Sequence, residues 1–107
     1  MNNDLALTEA TYYILLSLVE PRHGYGIMQQ AEALSGGRVK LAAGTLYGAL
    51  SSLCEKEWIL LLPTTEGSRK KEYMLTERGY RVLKNELERL RELVTSGDVI
   101  LGGLGNE

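Results

Sequence analysis

One cysteine and one histidine in 107 residues exclude whole classes of chemistry. With Cys54 alone there is no internal disulfide framework, which suits a reducing compartment, and a cytoplasmic protein is expected. With His23 as the only histidine there is no metal-ligand cluster and no Cys-His or Ser-His spacing. No phosphate-cradling glycine loop follows a strand either, so neither catalysis nor a cofactor is expected. No apolar run approaches the roughly 18–20 residues of a membrane span. The opening Met-Asn-Asn-Asp carries no cationic segment, so no secretory leader is expected. Internal repeats are absent.

What is present describes one soluble domain. Hydrophobic residues make up 44% and charged residues 24%, ordinary values for a globule near the commonest domain size. A chain this short buries only roughly 60–70% of its unfolded surface, so self-association would help it. The net charge of −2 argues against a polyanionic partner until its distribution is considered. Residues 1–67 carry 4 cations and 7 anions, residues 68–91 carry 8 and 4, and residues 92–107 carry 3 anions and no cation. The positive charge is concentrated in one segment.

Hydrophobic spacing predicts four helices and a hairpin. The first helix is expected over 5–20, with Thr8 as N-cap and Pro21 as its stop. Apolar residues cover most of its circumference, which predicts burial on more than one side and hence a subunit contact. The turn His23-Gly24-Tyr25-Gly26 opens a second helix through about Leu34, ended by Ser35-Gly36-Gly37. Val39 and Leu41 could form a minimal strand. A third helix from about Ala43 to Lys56 buries Leu46, Ala49, Leu50 and Leu53. Its opposite face carries Gly44, Gly48, Ser51, Ser52 and Glu55, with Thr45 and Tyr47 flanking the seam. Trp58 to Thr64 and Arg69 to Leu75 read as strands around a Thr65–Ser68 turn. Thr76 caps a last helix to about Thr95, with Gly97 as its stop.

The order is helix, helix, helix, hairpin, helix. It gives a mainly α fold with a small β-hairpin (α+β): a winged helix-turn-helix over 1–75, a C-terminal dimerisation helix over 76–95 and a flexible tail over 96–107. A helix face of small uncharged residues suits close approach to another surface, and retaining exposed glycine costs roughly 0.5–1 kcal/mol relative to alanine. Beside a basic hairpin, the surface it suits is double-stranded DNA. Groove or phosphate contacts are expected from Gly44, Thr45, Tyr47, Gly48, Ser51 and Ser52, and phosphate or minor-groove contacts from Arg69, Lys70 and Lys71. His23, Tyr25 and Lys40 complete this candidate set, although His23 also reads as an ordinary turn residue. Cys54 reads as packed and Trp58 as a core or interface residue.

The chain resembles the PadR family of transcriptional regulators. The matching segments are Leu7-Thr8-Glu9, His23-Gly24-Tyr25-Gly26-Ile27, Gly44-Thr45-Leu46-Tyr47, Arg69-Lys70-Lys71-Glu72-Tyr73 and Leu75-Thr76-Glu77-Arg78-Gly79, in order and at the right spacing. The resemblance implies a homodimeric regulator, usually a repressor, that a small ligand releases from its operator. It also implies that the single C-terminal helix dimerises, as in the short subfamily. Some short members bind flat aromatic drugs with a tryptophan of the last helix, which this chain lacks there.

Tyr80, Leu83, Leu87, Leu90 and Val94 are spaced 3, 4, 3, 4, the pattern of a coiled-coil seam. With Leu7, Tyr12 and Ile14 of the first helix they form the expected dimer interface. Tyr12, Tyr13, Leu90, Leu93 and Val94 are the expected lining of a site for a small hydrophobic or aromatic effector. The function expected is a ligand-released repressor on an inverted-repeat operator. The alternative is a winged helix used only for protein–protein interaction, without direct DNA binding.

Overall fold

The computed structural model describes residues 6–64 and 70–103. The Thr8 hydroxyl accepts the Thr11 N–H and starts α1 (Glu9–Ser17). The helix is shorter than the expected 5–20 and ends before Pro21. Its last carbonyls are taken by other elements: Arg22 Nε donates to the Ser17 carbonyl at 2.7 Å, and the Leu75 N–H to the Leu18 carbonyl at 2.9 Å. β1 (Arg22–His23) follows, then α2 (Gly24–Leu34). Gly36 and Gly37 take φ of 65° and 89°, the left-handed geometry that reverses the chain after α2. α3 (Ala43–Glu55) leads through a tight turn at Glu57 into β2 (Ile59–Leu61), β3 (Glu72–Leu75) and α4 (Glu77–Gly102).

The sheet is antiparallel in the order β1-β3-β2. Its third strand is not at Val39 and Leu41, which lie in no strand, but at Arg22–His23, where Arg22 pairs with Tyr73 and His23 with Glu72. The hydrogen bonds from Arg22 and Leu75 to the end of α1 hold that segment against β3.

α1, α2 and α3 converge on a core of Ile14, Leu15, Leu18, Ile27, Leu46, Leu50 and Leu53, closed by Ile59, Tyr73 and Leu83. Two residues expected at a dimer interface are therefore used up: Ile14 is 1% and Leu83 6% exposed within this one chain. Leu83 faces inward because the i, i+3, i+4 spacing that suggests a seam is also that of an ordinary core stripe, and Ile14 because the apolar circumference of α1 is taken up by its own core.

α4 continues to Gly102, past the expected stop at Gly97 and into the segment expected to be a flexible tail. One helical glycine costs only about 1 kcal/mol, and residues 98–101 continue the helix beyond it. The first part of α4 belongs to the winged domain, with Gly79, Leu83 and Glu86 buried. The Glu86 carboxylate is gripped by Arg89 through Nε at 2.8 Å and Nη2 at 2.6 Å. It also accepts the Leu7 N–H, so the chain entering α1 is tied to α4. These hydrogen bonds hold the Glu86 carboxyl below the ordinary carboxylate range, Arg89 being the main cause and burial opposing it. Beyond Glu86 the helix leaves the domain, giving the molecule extents of 61 × 33 × 21 Å.

Candidate nucleic-acid interface

The outer face of α3 is as the wheel predicts. Gly44, Thr45, Gly48, Ser51 and Ser52 are exposed. A Cβ added at Gly44 or Gly48 would meet nothing within 4 Å, so no neighbour in this chain requires glycine there. The face carries no charge before Glu55.

Tyr47 links this face to the wing. The residue is 48% exposed, and its hydroxyl lies so close over Gly24 that a Cβ on Gly24 would overlap it. Tyr73, at the centre of the sheet, has its phenol pushed above the ordinary tyrosine range by burial first, then by the neighbouring Cys54 and Tyr47 groups. Tyr47 thus covers the start of α2 and is near enough to Tyr73 of β3 to raise its phenol's pKa.

His23, Gly24, Tyr25, Tyr47, Lys70 and Lys71 line a depression of about 450 Å³. His23 caps α2 by accepting the Gly26 N–H on Nδ1 at 3.3 Å, which leaves Nε2 to carry the donor of a neutral ring. Gly24 and Tyr25 bring the positive end of the α2 dipole to the same place. A helix start, the Tyr47 phenol and two lysines line it, an arrangement that can hold a phosphate.

Six of the twelve residues expected to touch nucleic acid lie on the exposed α3 face or at its seam: Gly44, Thr45, Tyr47, Gly48, Ser51 and Ser52. His23, Tyr25, Lys70 and Lys71 meet Tyr47 in the depression. Lys40 stands apart, exposed and 4.0 Å from Glu32. Arg69 lies outside the described residues. Lys70 and Lys71 precede β3 instead of alternating along it, since the strand begins at Glu72. Gly24 was not expected in this site. Its signal is the close approach of Tyr47, which no local pattern contains.

Of the residues expected at a dimer or effector site, Leu7 and Tyr12 are partly buried against the core. Tyr12 and Tyr13 stack edge to face with ring centres 5.9 Å apart. Tyr80, Leu87, Leu93 and Val94 are exposed, and Leu90 is partly so.

The sequence profile of the transcriptional regulator PadR-like family matches residues 14–85. The chain belongs to this family. Its match runs from the second half of α1 through α2, α3 and the wing strands to the first turns of α4. No curated protein sequence matches the chain significantly. Among solved structures, a PadR family regulator from Eggerthella lenta DSM 2243 is 24% identical with a TM-score of 0.68, covering 85% of this chain and 77% of that one. A PadR family regulator from Clostridium difficile R20291 is also 24% identical, with a TM-score of 0.67 over 88% of this chain and 97% of that one. These two similarities establish the winged-helix fold of PadR structures. Bacillus subtilis PadR, solved in complex with operator DNA, is 26% identical with a TM-score of 0.59, covering 72% of this chain and 46% of that one. Among the described residues, no helix is long and apolar enough to cross a membrane.

Proposed function

We propose that this PadR-like regulator binds duplex DNA through the outer face of α3 and the Tyr47 depression. The observation that carries the reading is the convergence of Tyr47, Lys70, Lys71 and the start of α2 beside an uncharged helix face. The depression holds a backbone phosphate and sets the register, and Thr45, Ser51 and Ser52 meet groove edges. That Bacillus subtilis PadR was solved in complex with operator DNA supports DNA as the partner.

The active species is a homodimer that acts as a repressor on an inverted repeat, with half-sites about one helical turn apart or a multiple of it. The exposed Tyr80, Leu87 and Val94 and the partly exposed Leu90 supply the contact on α4, with Leu7 and Tyr12 beside it. A small hydrophobic effector between α1 and α4, against Tyr12, Tyr13, Leu90, Leu93 and Val94, changes the separation of the two α3 helices and releases DNA.

The test is the salt dependence of binding. Lys70→Ala and Lys71→Ala should weaken operator and random DNA alike, each lowering the salt slope by about one unit, the share of a single neutralised phosphate. Thr45→Ala should instead change sequence preference. Unaltered salt slopes in both lysine variants would remove the wing from the interface.

A further inference from the structure

Trp58 and Lys56 take no part in the DNA-binding reading, yet they border a second depression, of about 250 Å³, between the chain entering α1 and the last turns of α3. Leu7, Leu53 and the Trp58 ring form its apolar wall. Thr8, Thr11, Ser52 and Lys56 supply its polar groups, and among the described residues no carboxylate lines it.

Among the described residues, Thr11, Ser52 and Lys56 each keep a donor that no protein acceptor takes. The Lys56 ammonium lies 4.8 Å from the Trp58 ring centre, and among the described residues it pairs with no carboxylate. Thr8 donates its hydroxyl proton to Thr11 Oγ1 at 3.0 Å, which leaves the Thr11 hydroxyl proton unspent. Neither the Ser52 hydroxyl nor the Trp58 indole N–H meets an acceptor among the described residues. An apolar wall edged by a cation and surplus donors complements a ligand that is apolar at one end and anionic at the other.

We infer that this depression binds a small organic monocarboxylate, its apolar body against Trp58 and Leu53 and its carboxylate between Lys56 and the Thr11 and Ser52 hydroxyls. The site is separate from the α1–α4 effector site proposed above. Its regulatory consequence rests on the DNA-binding reading, because Ser52 belongs to both the depression and the outer face of α3. A carboxylate that engages Ser52 competes with its groove contact. Leu7, in the apolar wall, has its backbone N–H on the Glu86 carboxylate, so the occupied site joins α3 to α4 through the N-terminal segment.

Trp58 is the only tryptophan, so its fluorescence reports occupancy directly, with or without DNA. The full-length protein is titrated with phenylacetate and, in parallel, with neutral phenylacetamide. Phenylacetate should quench or shift Trp58 emission saturably and bind about tenfold tighter than phenylacetamide, the share expected of one charge-assisted contact. Lys56→Gln should abolish that preference while leaving the thermal melting profile intact, and Thr11→Val should weaken phenylacetate alone. Tyr12→Ala/Tyr13→Ala should bind as wild type does. Equal responses to the two probes, or full affinity in Lys56→Gln, would overturn the site. Operator binding is measured separately. A saturable, Lys56-dependent Trp58 response without DNA binding upholds the site and rejects the DNA-binding reading, whereas DNA binding without that response does the reverse.

Discussion

Gly79 passes directly beneath the carbonyl of Trp58, so close that a Cβ on Gly79 would overlap the carbonyl oxygen and carbon. The same carbonyl accepts the Thr76 N–H at 3.0 Å, and the Thr76 hydroxyl donates to the Glu57 carbonyl at 2.6 Å. The start of α4 is therefore set against the α3–β2 turn by backbone contact, and only glycine fits. Gly79→Ala should cost about 1–3 kcal/mol of stability by overpacking. Gly97→Ala, in open space on the same helix, should stabilise by up to about 1 kcal/mol. Chemical denaturation of the two variants measures both effects, and opposite signs are expected.

The overlap at Gly24 predicts a different outcome, in binding. Tyr47→Phe removes the hydroxyl and leaves the ring over the start of α2, so the fold should persist while affinity for DNA falls about tenfold, the loss of one good phosphate hydrogen bond. Gly24→Ala should displace the tyrosine and weaken both stability and DNA binding. Fluorescence anisotropy with operator DNA, alongside circular dichroism, distinguishes the two. Wild-type affinity in Tyr47→Phe would remove the hydroxyl from the contact.

Leu83 and Leu87 are one helical turn apart, and the structure predicts opposite fates for their substitutions. Leu83 is in the core, so Leu83→Glu buries a charge without a partner and should unfold the domain. Leu87 is 37% exposed, so Leu87→Glu should leave the fold intact and produce monomers. Light scattering shows the mass and circular dichroism the helix content. A folded dimer of Leu87→Glu would place the subunit contact elsewhere.

The Glu86 carboxyl titrates below its ordinary range, so its contribution to stability is present above the unfolded glutamate pKa, about 4.3. It is lost as pH falls through the lowered folded value. Denaturation midpoints measured from about pH 6 down to pH 3 should fall more steeply for wild type than for Glu86→Gln, which lacks the proton linkage. At neutral pH the variant should be less stable by about 1–3 kcal/mol, because Arg89 and the Leu7 N–H lose a charged acceptor. Parallel pH profiles would show that Glu86 does not control the acid limb.

Elements whose signals are local were legible in the sequence. Thr8 and Thr76 cap helices through their own hydroxyls, Gly36 and Gly37 reverse the chain after α2, and the Leu46–Leu50–Leu53 stripe enters the core. The face of α3 opposite that stripe followed at once. Features set by distant partners were not legible. Arg22 and His23 become a strand only because β3 lies alongside, and Ile14 and Leu83 look like seam residues until the core claims them. The convergence of Tyr47 with Lys70 and Lys71 needs the wing folded back onto α2. Glu86 looks like any surface glutamate on a charged helix, and its burial depends on Arg89 and the Leu7 N–H together. Gly97 carries the opposite lesson, because a glycine stops a helix only where the chain gains something by turning.

Both outer strands of the sheet are stunted: β1 has two residues and β2 three. Pro63 follows β2 and offers no N–H, so the leucine-rich edge at Leu60 and Leu61 closes almost as soon as it opens. A longer edge of that composition would be a template for strand-to-strand aggregation. The wing thus shows solvent a leucine-rich strand whose free backbone edge is too short to seat much of another chain's strand.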